Sequence, residues 1–127
     1  MYRSVTSKTV TSKTTFEGVH CWPEAPDEVS FLRNPHRHIF HVEVHVVVQH
    51  NDRDIEFIML KHKIDKRLSV EFDDNGVWQM GRKSCEDVAE MLMVSLISWY
   101  PNRAVAVSVF EDGENGCTIT SDPQGKM

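Results

Sequence analysis

Between positions 36 and 49 apolar and polar residues alternate almost without a break. The even positions read His36, His38, Phe40, Val42, Val44, Val46 and Val48; the odd positions read Arg37, Ile39, His41, Glu43, His45, Val47 and Gln49. A period of two marks a strand with one buried face. The valines therefore face the core, and His36 and His38 sit at the end of that same face. Residues 3–20 are rich in Val, Thr and Ser and predict a long first strand. Its even face carries Val10, Phe16 and His20, and its odd face carries Lys13, Glu17 and several threonines. Pro23, Pro26 and Pro35, with acidic residues between them, predict a loop over 21–35. Asn51-Asp52-Arg53 reads as a turn leading into a further strand over 54–59.

The period then changes. Phe57, Leu60, Ile64 and Leu68 recur at helical spacing and predict a short helix near 58–68. Segments 70–72 and 77–80 flank Asp73-Asp74-Asn75-Gly76, which predicts a hairpin. Ser84 and Asp87 have capping-box spacing, with Asp in place of the usual Glu. A helix follows to about Trp99, with Val88, Met91, Leu92, Leu96 and Trp99 on one face, and Pro101 helps to stop it. Residues 103–111 predict a valine-rich strand, 112–116 a turn and 117–120 a last strand. Antiparallel hairpins with two inserted helices predict an α+β fold, the helices on one face of the sheet. Residues 1–120 make one domain, and the Ser, Asp, Pro, Gln and Gly of 121–127 predict a disordered tail.

Composition narrows the function classes. At 127 residues the chain has room for one core. No apolar run approaches the roughly 20 residues of a membrane span, so no membrane partner is expected. The first residues lack the apolar stretch of a signal peptide. Cys21, Cys85 and Cys117 are too few and too odd in number for a disulfide framework, which points to a reducing compartment, the cytoplasm. The net charge is −5 and the basic residues are scattered, so no nucleic-acid partner is expected.

Six of the seven histidines lie between His20 and His50. His36 and His38, two apart on a strand, stand about 7 Å apart at the backbone on one face. His20 ends the first strand. If the first two strands pair antiparallel, all three rings meet at one end of the sheet. Three neutral imidazoles with an open fourth position form a catalytic type of zinc site. Any one of these histidines alone reads as an ordinary core or surface residue; the His-x-His pair is what raises the metal reading. His41 and His45 lie roughly 13 Å apart on the other face and cannot share an ion. They read as solvent-side or oligomer-lining residues.

Several segments resemble the 6-pyruvoyltetrahydropterin synthase and 6-carboxytetrahydropterin synthase family. Phe16-Glu17-Gly18-Val19-His20 is similar to the Phe-x-Ala-x-His that ends the family's first strand. His36-Arg37-His38-Ile39-Phe40 is similar to its His-Gly-His-x-(Tyr/Phe). Glu56-Phe57 with Leu60-Lys61, Ser84-Cys85-Glu86-Asp87-Val88-Ala89 and Val107-Ser108-Val109-Phe110-Glu111 resemble its first helix, second helix and closing strand. These motifs stand in order from residue 16 to about 120. The resemblance implies the tunnelling fold: a four-stranded antiparallel sheet with two helices on one face, its subunits closing into an oligomeric barrel, a trimer or hexamer. It implies Zn2+ on His20, His36 and His38. It also implies a pterin or purine-like ligand held by Glu111, whose carboxylate can accept two parallel N–H bonds, with Ser84 lining the pocket. Without the resemblance, Glu111 reads as a surface residue at a strand end and Ser84 as a plain helix cap.

Three positions depart from the family's pattern. Leu32 stands where its nucleophilic cysteine lies, four residues before His36. The segment Leu68-Ser69-Val70-Glu71-Phe72 lacks its Asp-His pair, and Arg37 replaces a glycine. His50 and His62 are possible bases that nothing fixes near the metal. Cys21 follows His20 and on a regular strand points to the opposite face. Cys85 lies in the first turn of a helix, where the dipole lowers a thiol pKa, and is the candidate catalytic residue; as a structural residue it is a small buried filler. The implied function is a zinc-dependent pterin-synthase-like enzyme, a carbon–oxygen lyase acting on a pterin or a deazapurine precursor of the queuosine type. The alternatives are a non-catalytic tunnelling-fold protein that binds a purine or pterin ligand, and a protein whose metal site is purely structural.

Overall fold

The computed structural model describes residues 3–123. Two long strands, β1 (Thr9–His20) and β2 (His36–Val47), form an antiparallel hairpin around a 3₁₀ helix at Asp27–Arg33. Helix α1 (Phe57–Ser69) and strand β3 (Val77–Gly81) follow. Helix α2 (Cys85–Trp99) then leads to the closing pair β4 (Val105–Glu111) and β5 (Asn115–Ser121). The five strands lie in the order β3-β1-β2-β4-β5.

The alternation in β2 decides the packing. Phe40, Val42, Val44 and Val46 are buried, and they pair across the sheet with Phe16, Thr14, Ser12 and Val10 of β1. Val105, Val107 and Val109 of β4 continue the same face. Leu60, Ile64 and Leu68 of α1 and Val88, Ala89, Leu92 and Leu96 of α2 close over it in a single core. Both helices begin on side-chain caps. Glu56 accepts from the Ile58 and Met59 amides, and Ser84 with Asp87 forms the expected reciprocal capping box.

Four strands form the expected antiparallel set, and β3 adds a fifth. The sequence predicts that 77–80 pairs in a hairpin with 70–72. Phe72 makes only an isolated bridge to Trp78, and β3 instead runs parallel to the end of β1, with Gly18 beside Trp78. Gly18 permits this approach: a Cβ there would lie 2.5 Å from Met80 Sδ and 2.9 Å from Phe40 Cε2. The Asp73–Gly76 turn still forms. The Asp73 carboxylate accepts the Asn75 and Val77 amides, and Gly76 takes φ +76°.

Other boundaries shift as well. β1 begins at Thr9 rather than residue 3. Residues 54–59 form no strand; α1 starts at Phe57 within them. α1 crosses the part of β1 that β3 leaves unpaired. Ser12 Oγ donates to the Phe57 carbonyl at 2.6 Å, Thr14 Oγ1 to Asp65 at 2.5 Å, and Lys61 Nζ to the Lys13 carbonyl at 3.0 Å. Of the predicted tail, Ser121 closes β5, and 124–127 lie outside the described residues. Among the described residues no helix is long and apolar enough to cross a membrane.

Asp54 anchors the loop before α1. Arg103 donates to it through Nη1 at 2.5 Å and Nη2 at 3.2 Å, and the Gln49 amide at 2.8 Å. The guanidinium, helped by that amide, holds the Asp54 carboxyl down at about 2. A carboxyl lowered by folding stabilises above its ordinary range, and the contribution fades as pH falls toward the folded value. Asp54→Asn is therefore expected to be less stable than wild type at pH 6. The gap should close between about pH 4 and 2. Urea midpoints across that range check it, and a gap that stays constant would contradict it.

Candidate metal centre

The β1–β2 register brings the three histidines together. His20 pairs with His36, and Gly18 lies opposite His38. The ring centroids stand 4.6 Å (His20–His36), 5.5 Å (His20–His38) and 5.0 Å (His36–His38) apart. One nitrogen from each ring lies within 4.8 Å of the others. Phe40 supports the cluster from the core, edge-on to His20 and His38 at 5.3 and 5.9 Å.

The outer nitrogens settle the tautomers. His20 Nδ1 faces the Lys83 carbonyl at 2.8 Å, His36 Nδ1 the Asn34 carbonyl at 2.9 Å, and His38 Nδ1 a carboxylate oxygen of Asp112 at 2.7 Å. Each partner can only accept, so each Nδ1 carries the hydrogen. In the neutral rings each Nε2 is then the atom that carries the lone pair. The Nε2 atoms of His20 and His38 are buried without a hydrogen-bond partner. The Glu111 carboxylate approaches them at 3.1 Å (His20) and 3.6 Å (His38). Acceptors facing acceptors at this range repel unless a cation or a proton lies between them. The donor set thus fits a divalent metal of zinc type, which takes neutral imidazole nitrogens with their outer N–H groups held.

A cleft of about 470 Å³ opens beside the cluster. His20, His36 and Glu111 form its floor at the end of the sheet. Ser84, Cys85 and Glu86, at the start of α2, form one wall. Trp22 approaches from the loop after β1, Leu32 from the 3₁₀ helix and Asn115 from β5. The expected metal ligands, Glu111, Ser84 and Cys85 therefore gather around one end of the molecule. Leu32 lines the cleft as an aliphatic side chain. Cys21 also lines it, although a regular strand would turn it away; a register shift at Val19/His20 and the end of β1 at His20 release it. His50, beside Asp54 at 3.5 Å, and His45, beside Glu43 at 2.9 Å, lie elsewhere. Cys85 departs from the sequence expectation in its acidity. Burial, reinforced by Glu111 and Glu86, pushes its thiol up to about 12 and outweighs the helix terminus. Sequence reasoning gave no role to Glu86 or Asn115 on the cleft walls, nor to Asp112 behind His38. Asp112 reads in sequence as an ordinary turn residue before Gly113.

No protein-family model and no curated protein matches the chain. Solved structures do. A catalytic-residue variant of Plasmodium vivax 6-pyruvoyltetrahydropterin synthase superposes with a TM-score of 0.67 at 14% identity, covering 93% of this chain and 99% of that one. The Plasmodium falciparum 6-pyruvoyl tetrahydropterin synthase gives 0.62 at 16% identity, over 91% and 98%. An uncharacterized protein from Wolinella succinogenes gives 0.65 at 13% identity, over 93% and 100%. The chain therefore has the fold of the 6-pyruvoyltetrahydropterin synthases, the tunnelling fold, across nearly its whole length.

Proposed function

We propose that the cleft holds a zinc ion on His20, His36 and His38 and takes a pterin or related deazapurine precursor, as a pterin-synthase-like protein. The observation that carries this reading is the convergence of three imidazoles, each with its Nδ1 committed to an acceptor. Bound zinc would supply Lewis-acid polarisation of a hydroxyl or carbonyl on the ligand's side chain. The protein's own groups do the rest. Ser84 and the start of α2 shape one wall, and a carboxylate reads the amino-pyrimidinone edge of the ring. Glu111 is that carboxylate by the sequence reading; Glu86 and Asp87 also line the cleft, and Asp87 is committed to the Ser84 capping box. The long β1–β2 hairpin, with His41, Glu43 and His45 on its polar face, supports assembly into a homo-oligomeric barrel, a trimer or hexamer in the cytoplasm, because closure removes exposed strand edges.

A second reading, a binding protein without turnover, is favoured by Leu32 in the cleft wall and by the burial of the Cys85 thiol, which disfavours its thiolate. Acid–base assistance is typically worth ~10²–10⁴-fold, and neither residue supplies a base. Turnover of dihydroneopterin triphosphate by wild type is accordingly expected to be very low or absent. Robust turnover lost in Cys85→Ala would restore the enzyme reading with that thiol as its catalytic residue. Ligand binding tests the site itself. Glu111→Gln is expected to weaken a pterin or guanine-type ligand by roughly 1.5–3 kcal/mol, the range for a hydrogen bond to a charged group. Calorimetry with wild type, Glu111→Gln and Glu86→Gln checks it. Equal binding by wild type and Glu111→Gln, with loss in Glu86→Gln, would move ring recognition to Glu86.

A further inference from the structure

The three rings are not anchored alike. Backbone carbonyls of Lys83 and Asn34 hold His20 and His36, whereas His38 is held by the carboxylate of Asp112. Asp112 is tied to this end of β2 through more than one atom. Its Oδ2 faces His38 Nδ1 at 2.7 Å, its Oδ1 accepts the Ile39 amide at 3.0 Å, and its own amide donates to the Ile39 carbonyl at 2.7 Å. The residue takes φ +55°, in the left-handed region. That conformation costs most residues free energy and is one that Asp and Asn adopt more readily. It lies in the turn between β4 and β5, and its side chain reaches back over the end of the neighbouring strand.

We propose that Asp112 is a positioning residue of the metal centre. Its carboxylate fixes the tautomer and ring angle of His38 and makes that ring the strongest donor of the three. The inference rests on the metal reading of the histidine cluster. A carboxylate behind a ligating imidazole holds the ring's outer N–H, keeps the inner lone pair on the metal and raises its basicity. Loss of such a partner typically costs 10–100-fold in metal affinity. A neutral carbonyl gives the same tautomer with a weaker pull on the ring proton, so His20 and His36 gain less of the second effect. Were Asp112 only a turn residue, its Ile39 bonds would carry all its worth, and the metal would not sense its side chain.

The test uses the full chain and zinc alone. Asp112→Asn keeps the size and tolerates the backbone conformation. One of its atoms becomes a donor, however, so it cannot accept from both the Ile39 amide and the His38 ring. Asp112→Gly removes the side chain at a φ where glycine is at ease, and it serves if the Asn variant fails to fold. Competition with a chromophoric chelator is expected to show zinc bound about 10–100-fold more weakly by either variant than by wild type. Nitrogen-15 spectra of the metal-free rings are expected to show His38 losing its fixed Nδ1–H form while His20 and His36 keep theirs. Folded variants that bind zinc within about threefold of wild type would overturn the proposal, because the typical effect is larger. So would weaker binding with an unchanged His38 spectrum. A wild type that takes up no zinc would overturn the metal reading as well, which separates the two failures.

Discussion

Purified wild-type protein is expected to carry about one zinc ion per chain, and His36→Ala to carry essentially none after dialysis against a weak chelator. The reason is the economy of the site. Among the described residues three imidazoles converge there, and removing one leaves two imidazole donors beside the Glu111 carboxylate and a wider opening to water. His36 is the right position to change because its outer nitrogen bonds to Asn34, so its removal disturbs no distant segment. His45→Ala is the matched control, since that ring is bonded to Thr11 and Glu43 on the other face of the sheet. Elemental analysis of the variants side by side reads the result. Full metal retention in His36→Ala, or equal loss in the His45 variant, would remove the histidine cluster as the metal site.

Phe40→Ala is expected to destabilise the protein by about 3–5 kcal/mol, the range for truncating a buried aromatic. Phe40 is fully buried. It stacks on Phe16 with centroids 5.0 Å apart and planes 9° from parallel, and it meets His20 and His38 edge-on. Its loss would open a cavity on the core face of the sheet, beside Phe16, His20 and His38. Domains of this size rest on a total of roughly 5–15 kcal/mol, so the variant should unfold at much lower urea. Phe40→Leu fills part of the space and should retain most of the stability. Equilibrium unfolding with a slope like that of wild type is the measurement. A loss under about 1 kcal/mol would mean that the core collapses to fill the gap.

Much of this was legible in the sequence because one strand carried so much information. The alternation from His36 to Val48 set the core face of β2 and placed His36 and His38 on it. The sequence brought the third ring alongside only on the condition that the first two strands pair antiparallel, and the observed register meets that condition, with His20 opposite His36. What the sequence did not disclose depends on contacts between distant segments. The parallel pairing of β3 with β1 replaces a local hairpin, because the Asp73–Gly76 turn is equally compatible with both. The acidity of Cys85 follows from burial and from Glu111, which is 26 positions away in the chain. A local reading registers only the helix terminus, a weaker effect. Asp112 resembles any aspartate before a glycine in a turn until the fold sets it behind His38.

The anchors of the three rings differ most in how far along the chain they reach. Asn34 lies 2 positions from His36, whereas Lys83 lies 63 from His20 and Asp112 lies 74 from His38. One imidazole is therefore preset by its own neighbourhood. The other two acquire their orientation only when the segment before α2 and the β4–β5 turn have both docked. Contacts that close long loops cost chain entropy before they return anything. The orientation of His20 and His38 thus depends on contacts distant in the chain. A fluctuation that lifts either remote segment would leave the sheet paired while releasing one donor, so the integrity of the ring cluster reports on the whole chain rather than on the strands that bear the histidines.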